Sequence, residues 1–419
     1  MKFKRILSTV VSVALMATVA AGFTACSESG NSGGGNDVNA GDEGNNGGSS
    51  NGGSDNSGGS GNFDDGKTVK IGVLVADVSG DEALAFRAYY EDYIAKQYNV
   101  EFSYTDQLTD AAGERSAIEQ FAAQGYDAVI SLSSSDRAMQ VETCTKNEIY
   151  YAVASGMLDD EQFEQYKDNK YFVGQVGPSM TTEYEAGLAM GEYYKNTVGV
   201  SSVAIYGAFI PNPMHVYRMA GLLTGLGLKY DGADGMAVVG SIFGDQGVTL
   251  SKISGDIEVK GYVQQFGDTT YDEIGAAVAS SPDAFLSVGM ATTFFNQVFS
   301  GAQIDYADID SFTTANGEQM SQEGGQLKYL AGKYTSSIGP IFAAVYDAVK
   351  GAPIRDGGNA ISVSQTYWVA TSADEFAKFQ SSDSATNPIF NKELLDTVIG
   401  EGVSFDTFKT LVETDRTPA

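Results

Sequence analysis

Residues 126–155, YDAVISLSSSDRAMQVETCTKNEIYYAVAS, decide the fold. The run 126–133 is short, apolar and β-rich, the pattern of a strand buried on both faces. Residues 135–147 are helical, with Ser135 or Asp136 as the cap, and 149–155 are strand again. A strand, a helix and a strand of this kind make a βαβ unit, which requires parallel pairing and a right-handed crossover.

The same alternation runs outward in both directions. Toward the N-terminus, 68–76 is a strand. The helix 81–98 follows with Leu84, Ala85, Ala88, Tyr89 and Tyr93 at helical spacing, and 99–106 alternates as a strand. Residues 110–125 form a helix that lays Ile118, Phe121 and Ala122 on one face and stops at Gly125. Toward the C-terminus the pattern restarts. Strands are expected at 171–177, 202–209, 257–266, 283–290, 308–316, 327–334 and 360–370. Helices are expected at 181–197, 213–227, 269–281, 291–302 and 338–353. Residues 232–255, rich in Gly and small side chains, read as an insertion. The tail from Ser372 holds two short helices, near 373–380 and 391–411. The fold class is α/β with parallel sheets, and 67–419 is too long for one ordinary core, so two lobes are expected.

The opening of the chain has a different character. A cationic start, Met-Lys-Phe-Lys-Arg, precedes an uncharged apolar run from Ile6 to Phe23, which is the layout of an export signal. Thr24, Ala25 and Cys26 close that run with small side chains. Residues 27–66 are almost wholly Gly, Ser, Asn and Asp, a composition that cannot bury enough apolar surface to order itself. A flexible chain of that length reaches about 35–40 Å. The reading is a signal peptide at 1–25, an anchor at Cys26, and a soft tether over 26–66.

Composition excludes several functions. With 54 Asp and Glu against 25 Lys and Arg, the net charge is −29, and no basic footprint for nucleic acid exists. Only Cys26 and Cys144 are present. If Cys26 is anchored, Cys144 has no partner within the chain, and a buried inert thiol is expected there. The single histidine, His215, leaves no material for a His/Cys metal site and little for His-based catalysis. No Gly-Lys-Ser/Thr phosphate loop occurs. The chain is therefore read as a non-enzyme without metal or cofactor. A surface glycosidase built on two carboxylates is the enzyme alternative.

Several stretches carry a family resemblance: FTAC at 23–26, KIGVLVADVSGDEALAFRAYYEDY at 70–93, GYDAVISLSSSDRAM at 125–139, VGPSMTTEYEAGLAMGEYY at 176–194, PDAFLSVGM at 282–290 and AGKYTSSIGPIFAAVYDAVKG at 331–351. FTAC resembles a bacterial lipobox, with Phe23 where Leu is usual. The others, in this order, resemble the type I periplasmic binding proteins, in their ribose-binding-like group of sugar ABC-transporter substrate-binding lipoproteins, over 68 to about 370. The resemblance implies two Rossmann-like lobes joined by a three-strand hinge. The lobes are placed at 67–172 plus 334–359 and at 173–333 plus 360–371, with a tail at 372–419. It further implies a monomer lipid-anchored through Cys26 to the outer face of a bacterial cell membrane, which binds a small polar ligand and serves a membrane permease. A sensory receptor reporting to a membrane kinase has the same fold.

Ligands of open α/β sheets sit beyond the C-terminal ends of the strands. That rule selects Asp77, Ser79 and Asp81 after the first strand. It selects Ser134, Ser135 and Asp136, with Arg137 beside them, after the third, and Ser155 after the fourth. From the second lobe it selects Phe209, Asn212, Met214, His215, Arg218, Met290, Thr292 and Asn316. Lys333 falls where the family places a polar contact at a hinge crossing, with Tyr334 next to it. Each has a competing structural role: Ser79 or Ser135 as caps, Asp136 favoured by a helix dipole, Arg218 paired with a carboxylate on an outer face. The Asn-Asp that the sugar binders often carry after the strand matching DAFLSVGM is Gly289-Met290 here, so one hydroxyl-binding carboxylate is lost. The expected ligand is a sugar, a nucleoside, with Phe209 and Tyr334 as stacking faces and Asn212 on a base edge, or another small polar metabolite.

Overall fold

The computed structural model describes residues 66–418, except 209, 211, 265, 266, 268, 322 and 323. The signal segment, Cys26 and most of the tether lie outside the described residues, as does Phe209.

The strands in chain order are β1 (Val69–Leu74), β2 (Val100–Tyr104), β3 (Ala128–Ser131), β4 (Tyr150–Ala154), β5 (Phe172–Gly177), β6 (Ser202–Gly207), β7 (Lys229–Tyr230), β8 (Ile253–Ser254), β9 (Glu258–Gln264), β10 (Ala284–Ser287), β11 (Tyr306–Ser311), β12 (Leu327–Lys333), β13 (Ile361–Ser364) and β14 (Trp368–Ala370). One six-stranded sheet has the order β13-β5-β4-β3-β1-β2 and the other β14-β12-β11-β10-β6-β9. Every pairing in the first is parallel. In the second only β12–β14 is antiparallel. The expected α/β architecture with two parallel sheets is what the chain adopts. Its central strands are fully buried, as helices on both faces require.

The chain passes between the sheets three times: after β5, after β12, and between β13 and β14. The outer two crossings fall later than the sequence placed them. Phe172–Gly177 pairs with Tyr150–Ala154 in the first sheet, so 173–177 belongs there rather than to the second lobe. The single strand expected at 360–370 is two strands. Ile361–Ser364 extends the first sheet beside β5, and Trp368–Ala370 joins the second beside β12. Burial alternates through Ile361, Val363 and Gln365 and then shifts phase by one residue to Trp368 and Ala370 where the chain changes sheets, a shift that the successive apolar residues Tyr367, Trp368, Val369 and Ala370 hide in the sequence. Gln365 marks it in space: its N–H donates to the Gly177 carbonyl at 3.0 Å and its side chain donates to the Ser337 carbonyl at 2.9 Å. The strand expected at 308–316 ends at Ser311, and Thr314–Ser321 is a helix.

Two helices of the second lobe, Met180–Tyr193 and Pro213–Gly225, meet backbone to backbone. A Cβ on Gly187 would strike the Arg218 carbonyl, and one on Gly221 the Tyr184 carbonyl. Glycine at these positions brings Glu183 against Arg218. Residues 232–255 hold a helix, Ala237–Asp245, beside the antiparallel pair β7–β8.

The tail spans both lobes. Helix Ala373–Ser382 sets Phe376 and Phe379 against Phe312 of the second lobe, at ring separations of 5.3 and 5.5 Å. Helices Lys392–Leu395 and Phe405–Glu413 pack on the first-lobe helix Gly339–Val349. The connection is fixed at the hinge. Buried Asp383 accepts from the Ser336 N–H (2.7 Å), the Ser336 hydroxyl (2.5 Å) and the Ile389 N–H (2.8 Å).

Candidate functional site

Between the C-terminal edges of the two sheets lies a cavity of about 350 Å³. The first lobe contributes Val75, Ala76 and Asp77 after β1, Leu132 and Ser134 after β3, Ser155 after β4, and Glu82, Ala83 and Phe86 from the helix Asp81–Ala88. The second contributes Asn212, Met214, His215 and Arg218 after β6, Gly289 and Met290 after β10, and Ile309 and Asp310 from the end of β11. Lys333 enters from the hinge at the end of β12.

Two lining residues hold strained backbone. Ser155 has φ 57° and Met290 φ 66°, a region disfavoured for side-chain-bearing residues, with costs of order 1–3 kcal/mol each. Both sit where a strand ends and the chain turns sharply into the cleft. Met290 occupies the cap of the helix Ala291–Ala302, whose first N–H groups are held by buried Asp308, 2.7 Å from the Ala291 nitrogen.

The polar groups are held from behind. The Lys333 ammonium donates to Glu82 Oε1 at 3.1 Å and to Ser155 Oγ at 3.2 Å, so one of its three donors is left to face the cavity. Glu82 also accepts from the Ser311 hydroxyl of the opposite lobe. Asp310 takes one bond from the Asn316 amide at 3.1 Å. Burial pushes its carboxyl above the ordinary range, and neighbouring Glu82 adds to this, while Lys333 and Arg218 oppose it. His215 is driven down to about 3, by burial first and then by Arg218 and Lys333, so the imidazole is neutral at physiological pH.

Arg218 forms the floor. Its Nε donates to Glu183 at 2.6 Å, one terminal nitrogen donates to the Val288 and Ile309 carbonyls at 2.9 and 3.2 Å, and the other to the Tyr367 hydroxyl at 2.7 Å. Four of the five guanidinium N–H groups are thereby engaged. Arg218 is paired with a carboxylate, but inside the cleft rather than on an outer face. Glu183 follows the first crossing and Tyr367 lies in the third, so this buried ion pair joins the cavity floor to the hinge.

Of the residues selected from sequence, the cavity gathers Asp77, Ser134, Ser155, Asn212, Met214, His215, Arg218, Met290 and Lys333. Others take structural places. Ser79 donates its N–H to Asp77 Oδ1 at 2.9 Å in the turn that starts the helix Asp81–Ala88. Asp81 lies outside, its carboxylate 3.4 Å from the Ala315 N–H across the lobes. Asp136 caps the helix Arg137–Lys146 by accepting from Met139 N–H at 2.9 Å. The Ser135 N–H bonds buried Glu114, which ties down the loop carrying Ser134. Arg137 reaches the Met157 carbonyl at 2.5 Å. Buried Thr292 bonds Tyr306, and Asn316 supports Asp310 from behind. Tyr334 is stacked on Trp368 at 4.2 Å in the aromatic cluster of the hinge and does not line the cavity. Sequence reasoning missed Glu82, Phe86 and Asp310. The signal for Asp310 was present: Asp308 and Asp310 alternate in an apolar strand, where an uncompensated carboxylate is costly. Among the described residues no His/Cys/Asp/Glu group is arranged to hold a metal ion, and no helix is long and apolar enough to cross a membrane.

No family model matches the chain, and no curated protein matches it. Solved structures do. An ABC transporter solute-binding protein from Bacillus halodurans C-125 with bound myo-inositol is 17% identical over 78% of this chain and 100% of its own, with TM-score 0.53. A periplasmic solute-binding protein from Actinobacillus succinogenes 130z with bound D-allose is 14% identical over 74% and 99%, TM-score 0.53. The periplasmic component of the arabinose ABC transporter of Shewanella sp. ANA-3, bound to L-arabinofuranose, is 14% identical over 75% and 95%, TM-score 0.52. At these identities the likeness establishes the fold, the two-lobed type I periplasmic binding protein architecture.

Proposed function

We propose that this chain is an extracytoplasmic solute receptor that closes on a sugar or cyclitol between its two lobes and delivers it to the membrane permease of an ABC transporter, tethered by lipid on Cys26. One observation carries the reading. Asp77, Glu82, Asp310, Lys333 and Asn212 converge, from both lobes and the hinge, on a single cavity of about 350 Å³, a volume within the ~300–1,000 Å³ of small-ligand sites. Carboxylates accept from hydroxyl groups while the ammonium and amide donate, so vicinal hydroxyls find both partners. Phe86, Leu132, Met214, Met290 and Ile309 offer apolar surface to the C–H face of a ring. Asp310 replaces the carboxylate that Gly289-Met290 lacks. The neighbours in fold were solved with myo-inositol, D-allose and L-arabinofuranose, which supports the ligand class.

The nucleoside reading loses the Tyr334 stacking face, which is packed against Trp368. The chain is read as a binder rather than a glycosidase, and recovery of the bound sugar unchanged distinguishes the two. A thermal-shift panel of the full-length protein against monosaccharides, cyclitols and nucleosides tests the proposal. A true ligand at 100 times its Kd stabilises the protein by about 2.7 kcal/mol. Stabilisation by nucleosides alone, or by no sugar or cyclitol, refutes it.

A further inference from the structure

Glu82 lines the ligand cavity and, on its other side, a further space. That space is a neck of about 20 Å³, which shares Glu82, Phe86 and Lys333 with the main cavity. The neck borders in turn a second hollow of about 380 Å³, and Asp81, Ala85, Phe312, Thr313 and Thr335 line both. Four separate pieces of chain build the outer hollow: the helix Asp81–Ala88, the turn that follows β11, Thr335 after β12, and tail residues from Gln380 to Ala385. The two hollows are alike in size. Only the neck, wide enough for about one water, divides them. Its partition is the Glu82 carboxylate, held by Ser311 from one lobe and Lys333 from the hinge.

The outer hollow has its own recognition chemistry. Thr313, Thr314 and Thr335 bring hydroxyls, Gln380 an amide and Asp81 a carboxylate, beside the half-buried Phe312 ring. Hydroxyls and the amide both donate and accept, which suits a ligand made of hydroxyl groups. Asp383 also borders the hollow, but its oxygens are committed to Ser336 and Ile389.

We propose that the cleft contains two sugar compartments in series, so that the preferred ligand is a disaccharide or longer glycan. One unit occupies the main cavity and the next lies against the tail. Glu82 exchanges Ser311 for the hydroxyls beside the glycosidic linkage. The proposal rests on the sugar reading above and assigns the tail a direct part in ligand choice.

The test is calorimetric titration of the full-length protein with arabinose, galactose and glucose, and with arabinobiose, galactobiose, cellobiose and maltose. At least one disaccharide is expected to bind roughly tenfold tighter than its parent monosaccharide, the gain of one or two added hydrogen bonds. Thr314→Trp, at an exposed helix start, fills the outer hollow and should bring the disaccharide-to-monosaccharide affinity ratio near unity. Gln380→Ala, a milder change on the tail, should lower the same ratio severalfold. Monosaccharides bound as tightly as every disaccharide, with a ratio unmoved by either variant, overturn the two-compartment proposal and leave the sugar reading standing. Binding of no saccharide of either length overturns the sugar reading and this proposal with it.

Discussion

Replacing Lys333 by Met removes the one ammonium in the cavity while keeping much of its apolar stem. Three effects follow, and the first two differ in size. In the empty protein the change breaks the ion pair to Glu82, 3.1 Å long, whose side chains are 19% and 33% exposed. Such a pair is neither a free surface bridge, worth up to ~1 kcal/mol, nor a dry one whose disruption costs ~3–5. A loss of about 1 kcal/mol is expected, which lowers the melting point by about 2 °C in a chain of this size. In the complex the change removes a charge-assisted hydrogen bond to a ligand oxygen, about 1.5–3 kcal/mol, or some 10- to 150-fold in affinity. It also acts on Asp310. Lys333 opposes the upward push that burial and Glu82 exert on that carboxyl, so its removal raises the carboxyl further. A protonated Asp310 accepts hydroxyls less strongly than the ionised form. Affinity of the variant should therefore climb as pH rises, more steeply than in the parent. Calorimetric titration across pH, beside melting curves of the empty protein, measures all three. Unchanged affinity with a lowered melting point would show that Lys333 only braces the cleft and that the argument for a ligand contact is wrong.

Cys26→Ala should abolish incorporation of radiolabelled fatty acid and release the protein from the membrane; equal labelling of the variant would refute the anchor. Cys144 is buried and free, so melting curves with and without reductant should coincide, and a large drop on reduction would contradict the cysteine reading. Asp347, on the helix Gly339–Val349, accepts from the tail Gly400 N–H at 3.1 Å, and burial pushes its carboxyl up to about 8. A folded-state value above the unfolded one means that the folded state binds more protons between about pH 4 and 8, so this group's contribution falls as pH rises through that window. Asp347→Asn should add on the order of 1–2 kcal/mol at pH 8 and almost nothing at pH 4; a gain independent of pH would show that ionisation of Asp347 is not the cause.

Periodicity and the strand-end rule reached far into this molecule because both express backbone geometry. Buried parallel strands must be apolar on both faces, so β1, β3, β4, β6 and β10 were legible. Where each ends, the next few residues must face the cleft, so Asp77, Ser134, Ser155, Asn212, His215 and Met290 could be picked without coordinates, while Lys333, the last residue of β12, came from the family resemblance. The failures have equally local causes. Between Ile361 and Ala370 the buried alternation shifts by one residue at the change of sheet, and the apolar run from Tyr367 to Ala370 conceals the shift. Asp310 was hidden because the β11 strand was drawn too long, which placed the carboxylate mid-strand. Glu82 lies one position past Asp81, and only the helix phase decides which of the two turns inward. Tyr334 follows a cavity residue but points to the opposite side of the hinge, as alternation along an extended chain requires. The Glu183–Arg218–Tyr367 network joins three distant segments, and no local pattern announces it; the glycines at 187 and 221 that permit it are visible only as glycines.

The central claim is tested most directly by a crystal structure of the protein grown with its tightest-binding saccharide. A sugar ring should lie between the lobes, with hydroxyls on Asp310 and Glu82, a donor from Lys333, and both lobes in contact with the same ligand. Density confined to one lobe, or found away from the cavity bounded by Asp77, His215 and Lys333, would contradict it.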